Sequence, residues 1–199
     1  MNLDEIEVRV DKPYPEIENA VADKMTVAIL KNLAFSSASE LEAVLTYIYQ
    51  SVIADKTHAD IANIFEEIAI VEMEHLDMLM HAITAFGGVP VYEDANGTMF
   101  NTRCINYTQK LNEMLNNDIY GEEMTIKSYT DAINKVSNQS LKDLFVRIIL
   151  DEKKHAEVLR TIKDNVHFLS LWFKIFNKSV KNIAKCVFFA IFFIFFVIF

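Results

Sequence analysis

Glycine and proline are scarce in this chain, with four Gly and three Pro among 199 residues. A β fold built on tight turns needs more of both, so their scarcity favours helices, as does the abundance of Leu, Ile, Ala, Glu and Lys. Cysteine is scarcer still. Cys104 and Cys186 form no C-x-x-C pair, which excludes a four-cysteine iron centre and a zinc knuckle. The opening MNLDEIEVRVDK lacks the apolar stretch of a secretory signal, so a reducing, cytoplasmic setting is expected. Basic charge is also short: 19 bases face 28 acids, a net −9. Residues 166–199 hold four Lys (Lys174, Lys178, Lys181, Lys185) and no acid, so residues 1–165 carry 28 acids against 15 bases, or −13. An acidic body argues against nucleic-acid binding. Bound cations would neutralise part of the excess if several Glu are ligands.

A chain of this length suggests one domain with a substantial core. Residues 1–15 are polar, are broken by Pro13 and Pro15, and read as an extended N-terminal arm. Residues 16–34 suit a short leading helix, and the helical domain is expected over 16–165. Its four long helices fall at about 37–54, 57–86, 107–135 and 139–165. Whether 16–54 is one kinked helix or two is open. Hydroxyls at Ser36, Ser37 and Ser39 can cap the first long helix, whose apolar positions Leu41, Val44, Leu45 and Ile48 lie near Glu40. In the second, Ile61, Ile64, Phe65, Ile68, Val71, His75, Met78, Leu79 and Ala82 trace an inner stripe. Gly87-Gly88-Val89-Pro90 ends it. Residues 87–106 are irregular, with a turn signal at Asn96-Gly97. A connection this long is what a bundle needs to cross from one end to the other. Asn138 or Ser140 can cap the last helix.

The two halves repeat. Phe65, Ile68, Glu72, His75 and Leu79 match Phe145, Ile148, Glu152, His155 and Leu159 at a constant offset of 80, and Glu40 and Tyr47 match Glu122 and Tyr129 at 82. Amphipathic spacing explains the apolar matches. It does not explain Glu and His recurring on the inner stripe, which points to an internal duplication. On a helix, positions i and i+3 share a face. Glu72 with His75, and Glu152 with His155, therefore each aim one oxygen and one nitrogen toward the core. Burying an unpaired carboxylate costs on the order of several kcal/mol. Four together need cations, and two divalent ions supply the balance. Two lone Glu and two Glu-x-x-His pairs on four helices form the ligand set of a dinuclear carboxylate bundle. Mixed carboxylate and imidazole ligation suits iron or manganese better than a structural zinc.

The expected metal ligands are thus Glu40, Glu72, His75, Glu122, Glu152 and His155, the four Glu acting in catalysis through the metal centre. Glu123 competes with Glu122, which is preferred because its spacing to Tyr129 equals that of Glu40 to Tyr47. Asp151 can orient an imidazole from behind. Tyr47 and Tyr129 either line the same cavity or are ordinary core tyrosines. Glu42, Glu66, Glu67, Glu74, Glu123 and Glu157 read as solvated or salt-bridged. His58, His81 and His167 lack a paired Glu and read as surface or core histidines.

Over about 35–163, the segments SELEAVLTYIYQ, IAIVEMEHLDML, GEEMTIKSY and RIILDEKKHAEVL resemble the ferritin-like superfamily, in its rubrerythrin, bacterioferritin and manganese-catalase branch. The resemblance implies an all-α antiparallel four-helix bundle with one long crossover between helices 2 and 3. It also implies two iron or two manganese ions, bridged by Glu72 and Glu152 with Glu40 and Glu122 terminal, and reaction with hydrogen peroxide or dioxygen. Rubrerythrins typically add a rubredoxin domain, for which this sequence has no cysteine pairs. They also carry a further carboxylate three residues after the third-helix Glu, where this chain has Thr125. The site is therefore similar to the six-ligand set of bacterioferritin and manganese catalase.

Three functions follow: a peroxidase with an external electron donor or a donor-free catalase; a ferroxidase or iron-storage protein; and a non-catalytic metal-binding or spore-structural protein. A homo-oligomer of at least two chains is expected. Cys186–Phe199 is an unbroken apolar run, and residues 166–199 hold ten of the fifteen Phe. This Lys-flanked tail reads as a membrane anchor through residues 182–199, an oligomerisation helix, or a segment foreign to the fold.

Overall fold

The computed structural model describes residues 6–166 and 168. It comprises α1 (Lys24–Phe35), α2 (Glu40–Ala54), α3 (Ala59–Ala85), α4 (Leu111–Ile133) and α5 (139–166). Met1–Arg160 forms one compact unit; Thr161–Phe199 falls to a second, of which residues 161–166 are helical. Helices α2 to α5 make the expected bundle. Short links join α2 to α3 and α4 to α5, and residues 86–110 cross between the two pairs. Among the described residues the only β pairing is an isolated antiparallel bridge, Glu93 with Met99. It closes the Asn96-Gly97 turn, where Gly97 takes φ +79.

The helix ends follow their local chemistry. Ser39 caps α2 through its hydroxyl. Helix α3 closes with Gly87 at φ +82, its N–H donating to Thr84 O and that of Gly88 to Ile83 O, a Schellman stop. Asn138 caps α5, accepting from Leu141 N at 2.9 Å, while Ser140 Oγ accepts from Glu18 N instead.

The structure corrects one expectation and answers a question left open. The leading helix does not begin at residue 16: Asp23 caps α1 by accepting from the Met25 and Thr26 amides, so residues 16–23 are not helical. Asn19 sits at φ 51, and the Glu18 backbone bonds to Asn138 and Ser140 rather than within its own segment. Residues 16–54 are therefore two helices with a break at 36–39. Ile48, in one apolar series with Leu41, Val44 and Leu45, is 47% exposed. The buried face of α2 is instead Glu40, Val44, Tyr47 and Gln50, one position round from its most apolar stripe.

The apolar positions of the repeat lie in the core. Phe65, Ile68, Leu79, Phe145, Ile148 and Leu159 are all fully buried. Around Leu79 and Phe145, α1 adds Leu30, Leu33 and Phe35 to a cluster with Ile83, Tyr129 and Leu141. Each such side chain stabilises by about 1.5–3 kcal/mol relative to exposure. Among the described residues no helix is long and apolar enough to cross a membrane. The tail at 169–199, with every reading given for it, lies outside the described residues, as does His167.

Candidate metal centre

All six expected ligands meet in the middle of the bundle, and all are buried: Glu40, Glu72, His75, Glu122, Glu152 and His155 are each 5% exposed or less. Their donor atoms form two groups, Glu40–Glu72–His75–Glu152 and Glu72–Glu122–Glu152–His155, each with its atoms within 4.8 Å of one another. Glu72 and Glu152 belong to both groups. The rise of one turn between i and i+3 puts each Glu-x-x-His pair on a single face. Glu40 comes from the first turn of α2 and Glu122 from the middle of α4.

The donors crowd, yet among the six only His75 Nδ1 and Glu72 Oε2 are hydrogen-bonded to each other. His75 Nδ1 lies 3.1 Å from Glu72 Oε2 and 3.0 Å from Glu152 Oε1, and His155 Nδ1 lies 3.0 Å from Glu72 Oε1. Yet Glu40 Oε2, Glu72 Oε1, both Glu152 oxygens and both His155 nitrogens have no hydrogen-bond partner among the described residues. Close approach off the hydrogen-bond line is what lone pairs aimed at a common point produce. So many orphaned buried polar atoms are otherwise costly. The donor set therefore fits two divalent cations.

Charge in the cluster is shared unevenly. Burial raises Glu40 to about 8, helped by the Glu72 charge. Burial, with Glu72 and Glu122, also pushes Glu152 well up. Burial would raise Glu72 too, but the imidazoles, His155 foremost, hold it below the usual range. Both imidazoles are raised against the opposing effect of burial: His75 by Asp151, Glu152, Glu40 and Glu72, and His155 chiefly by Glu72. Without metal the site thus keeps protons that ligation must displace.

The two tyrosines reach across the bundle. Tyr47 OH donates to Glu122 Oε1, and Tyr129 OH to Glu40 Oε1, each to the carboxylate of the other half. They are neither idle core residues nor partners of the Glu on their own helix. Asp151 has no exposed surface, and its Oδ2 lies 3.3 Å from His75 Nε2. Burial opposes its ionisation, but bonds from His75, Arg147 and Tyr14 hold it below the usual carboxylate range.

Sequence reading missed the groups that fix Asp151. The N-terminal arm is not free. Val10 N donates to Asp151 Oδ1 at 2.8 Å, and Tyr14 OH donates to Oδ2 at 2.6 Å while lying 3.3 Å from His75 Nε2. Arg147, 1% exposed, pairs with Asp151 Oδ2 at 2.7 Å, donates to Val10 O and Lys12 O, and stacks 4.3 Å over the Tyr14 ring. Its i,i+4 spacing to Asp151 was the available signal. A second buried pair, Gln50 Nε2 to Asp118 Oδ1 at 2.8 Å, was also missed. Asp118, Glu42, Thr125, Tyr47 and Glu122 line a cavity of about 440 Å³ that reaches exposed Ser37 and Tyr120.

The discounted acids lie outside the cluster. Glu123 pairs with Arg160, Glu74 with Arg9 and Glu157 with Lys154; Glu66 and Glu67 are exposed. Glu42 is half-buried, and its carboxylate accepts from Thr46 Oγ1 at 2.6 Å. His58 and His81 are exposed.

Comparison with known proteins gives a consistent set of relatives. The family model described as rubrerythrin matches residues 31–163. A bacterioferritin from Brucella melitensis is 28% identical over 129 residues, covering 63% of this chain and 76% of its own length. Bacterioferritin from Rhodobacter capsulatus, solved with a metal-free dinuclear site and haem iron, superposes with TM-score 0.62 at 25% identity, over 74% of this chain and 89% of its own. Bacterioferritin from Desulfovibrio desulfuricans, solved with its diiron site in different catalytic states, gives 0.63 at 25%, over 73% and 82%. A manganese catalase from Anabaena gives 0.73 at 20% identity over 80% of each chain, a likeness of fold alone.

Proposed function

Because the chain belongs to the rubrerythrin family, we propose that it is a dinuclear iron or manganese redox protein acting on hydrogen peroxide or dioxygen. The observation that carries this reading is the pair of overlapping donor groups sharing Glu72 and Glu152 at the centre of the bundle. Glu40 and His75 would complete one position, Glu122 and His155 the other, with Glu72 and Glu152 bridging. Bound there, the ions would supply one-electron changes and a template for an O–O bond.

The chain's own residues prepare that chemistry. Tyr47 and Tyr129 each occupy one oxygen of a terminal carboxylate, leaving the other oxygen for ligation. Asp151 and Tyr14 hold His75 from behind, so that its Nδ1 faces the carboxylates. Phe65, Ile68, Phe145 and Ile148 are fully buried on the same helices and keep bulk water from the cluster. The cavity against Glu122 and Tyr47 has room for a diatomic or peroxide-sized substrate.

Removal of peroxide is the first reading. The sequence contains no C-x-x-C relay, and donor-free dismutation of peroxide needs none. The bacterioferritin relatives favour a second reading, oxidation of Fe(II) with storage or delivery of the product. Steady-state assays on iron- and manganese-loaded protein separate them. Oxygen evolved from peroxide without a donor supports a catalase, and peroxide loss only with a reduced donor supports a peroxidase. Fe(II) turnover that yields a mineral supports storage. A protein that retains no metal, and whose stability is unchanged by Glu72→Ala, refutes the dinuclear reading. Self-association of the chain belongs to the same proposal, and sedimentation of the purified protein tests it.

A further inference from the structure

We propose that the two halves of the cluster bind metal unequally: the position made by Glu40 and His75 fills first and tightly, and that made by Glu122 and His155 is weaker and exchangeable. The inference rests on the dinuclear reading above and goes beyond it, since the repeat alone would make the two positions alike.

The halves differ behind their imidazoles. His75 Nε2, the nitrogen turned away from the carboxylates, lies 3.3 Å from Asp151 Oδ2 and 3.3 Å from the Tyr14 hydroxyl. Asp151 is itself fixed by Val10 N, Tyr14 OH and Arg147. A carboxylate behind an imidazole sets which nitrogen carries the proton, locks the ring and strengthens the other nitrogen as a donor; losing such a partner costs about 10–100-fold in metal affinity. At the matching place in the other half, offset by 80, stands Val71, which is buried and offers nothing to an N–H. His155 Nε2 has no hydrogen-bond partner among the described residues. Among the described residues its ring is held by packing and by the cluster alone.

Access differs in the same sense. Glu122 lines the 440 Å³ cavity and Glu40 does not. Asp118, one turn before Glu122, lines it too, and its buried Oδ2 has no hydrogen-bond partner among the described residues. The less supported position therefore lies beside the opening, with an unpartnered carboxylate oxygen on the way. The better supported one lies behind it, under the arm.

Titration of the metal-free full-length chain with Co(II), followed by visible absorption and calorimetry, tests the proposal. Two steps are expected, with dissociation constants at least about tenfold apart. His155→Ala should keep one ion at the tight constant, and His75→Ala one ion at the weak constant. Asp151→Asn should weaken the tight step by about 10–100-fold and leave the weak step within about twofold. Tyr14→Phe, which keeps the Asp151–Arg147 pair, should shift the same step in the same direction by less, and serves if Asp151→Asn does not fold. Loosening of the whole bundle would weaken both steps together, so that result from either variant overturns the proposal. So do equal steps in the unmodified chain, or loss of the tight ion in His155→Ala. Two equal steps leave the dinuclear reading standing; no uptake of Co(II) at all overturns both.

Discussion

Replacing Arg147 with Met should be strongly destabilising although the residue is not one of the six ligands. Arg147 is 1% exposed, and its guanidinium pairs with Asp151, which has no exposed surface, at 2.7 Å. It also holds the arm through Val10 O and Lys12 O, each at 2.7 Å. Met fills nearly the same volume, so little packing is lost. What remains is a buried carboxylate without its cation, and breaking such a pair costs about 3–5 kcal/mol. The His75 imidazole at 3.3 Å compensates in part, and the freed carbonyls can reach water because Lys12 is exposed and Val10 half-buried. The lower end, about 3 kcal/mol, is therefore expected. In a chain of this size each kcal/mol moves the melting temperature by about 2–4 °C, so metal-free R147M should melt about 6–12 °C lower. Thermal unfolding of the metal-free protein measures this without the added stability of bound metal. The same substitution in an Asp151→Asn background should cost at least about 1 kcal/mol less, because the pair is already broken. Trypsin should also cut faster after exposed Arg9 once the arm is released. A melting shift under about 2 °C, or an equal cost in both backgrounds, refutes the reasoning.

Three further outcomes follow from the same geometry. Glu72→Ala leaves two raised imidazoles without their shared carboxylate; it should lower metal-free stability by about 3 kcal/mol and abolish uptake of two ions, checked by melting and elemental analysis. Tyr129→Phe removes the donor from a buried oxygen of Glu40 and should cost about 1–3 kcal/mol in denaturant unfolding, whereas Tyr120→Phe at an exposed site should cost nothing measurable. Asp118 is raised well above its ordinary 3.8, chiefly by burial. Its carboxyl binds a proton more tightly folded than unfolded, so its contribution is complete below the ordinary carboxylate range and is lost as pH rises toward the folded value. Asp118→Asn should therefore gain stability over the unmodified chain as pH rises from 4 to 7; a constant difference across that range contradicts the sign.

How much was legible in the sequence depends on the range of the interaction. Helix existence, the Gly87 stop and the Glu-x-x-His faces are set within a few residues, and periodicity reports them directly. The start of α1 was misread because Glu18 and its neighbours bond to Asn138 and Ser140, some 120 residues away, and outcompete a helix that local propensity alone allows. Ile48, 47% exposed, shows that apolarity does not mark the buried face of α2. There the buried stripe carries Glu40, Tyr47 and Gln50, polar groups whose burial makes sense only with partners on other helices.

By itself the sequence determined the chemistry: an all-α chain with a doubled Glu and Glu-x-x-His set, spaced so that six donors could face one interior. That followed from helix geometry and from the cost of burying carboxylates without cations. Only the tertiary structure decided how the halves are joined and how they differ. It crossed the tyrosines, Tyr47 to Glu122 and Tyr129 to Glu40, because antiparallel packing sets each beside the opposite helix. It also laid the arm over Asp151 and, among the described residues, set no matching support behind His155. A repeat in sequence fixes which residue types recur. Which neighbours stand behind them depends on how the chain folds back, and among the described residues it folds back over one half only.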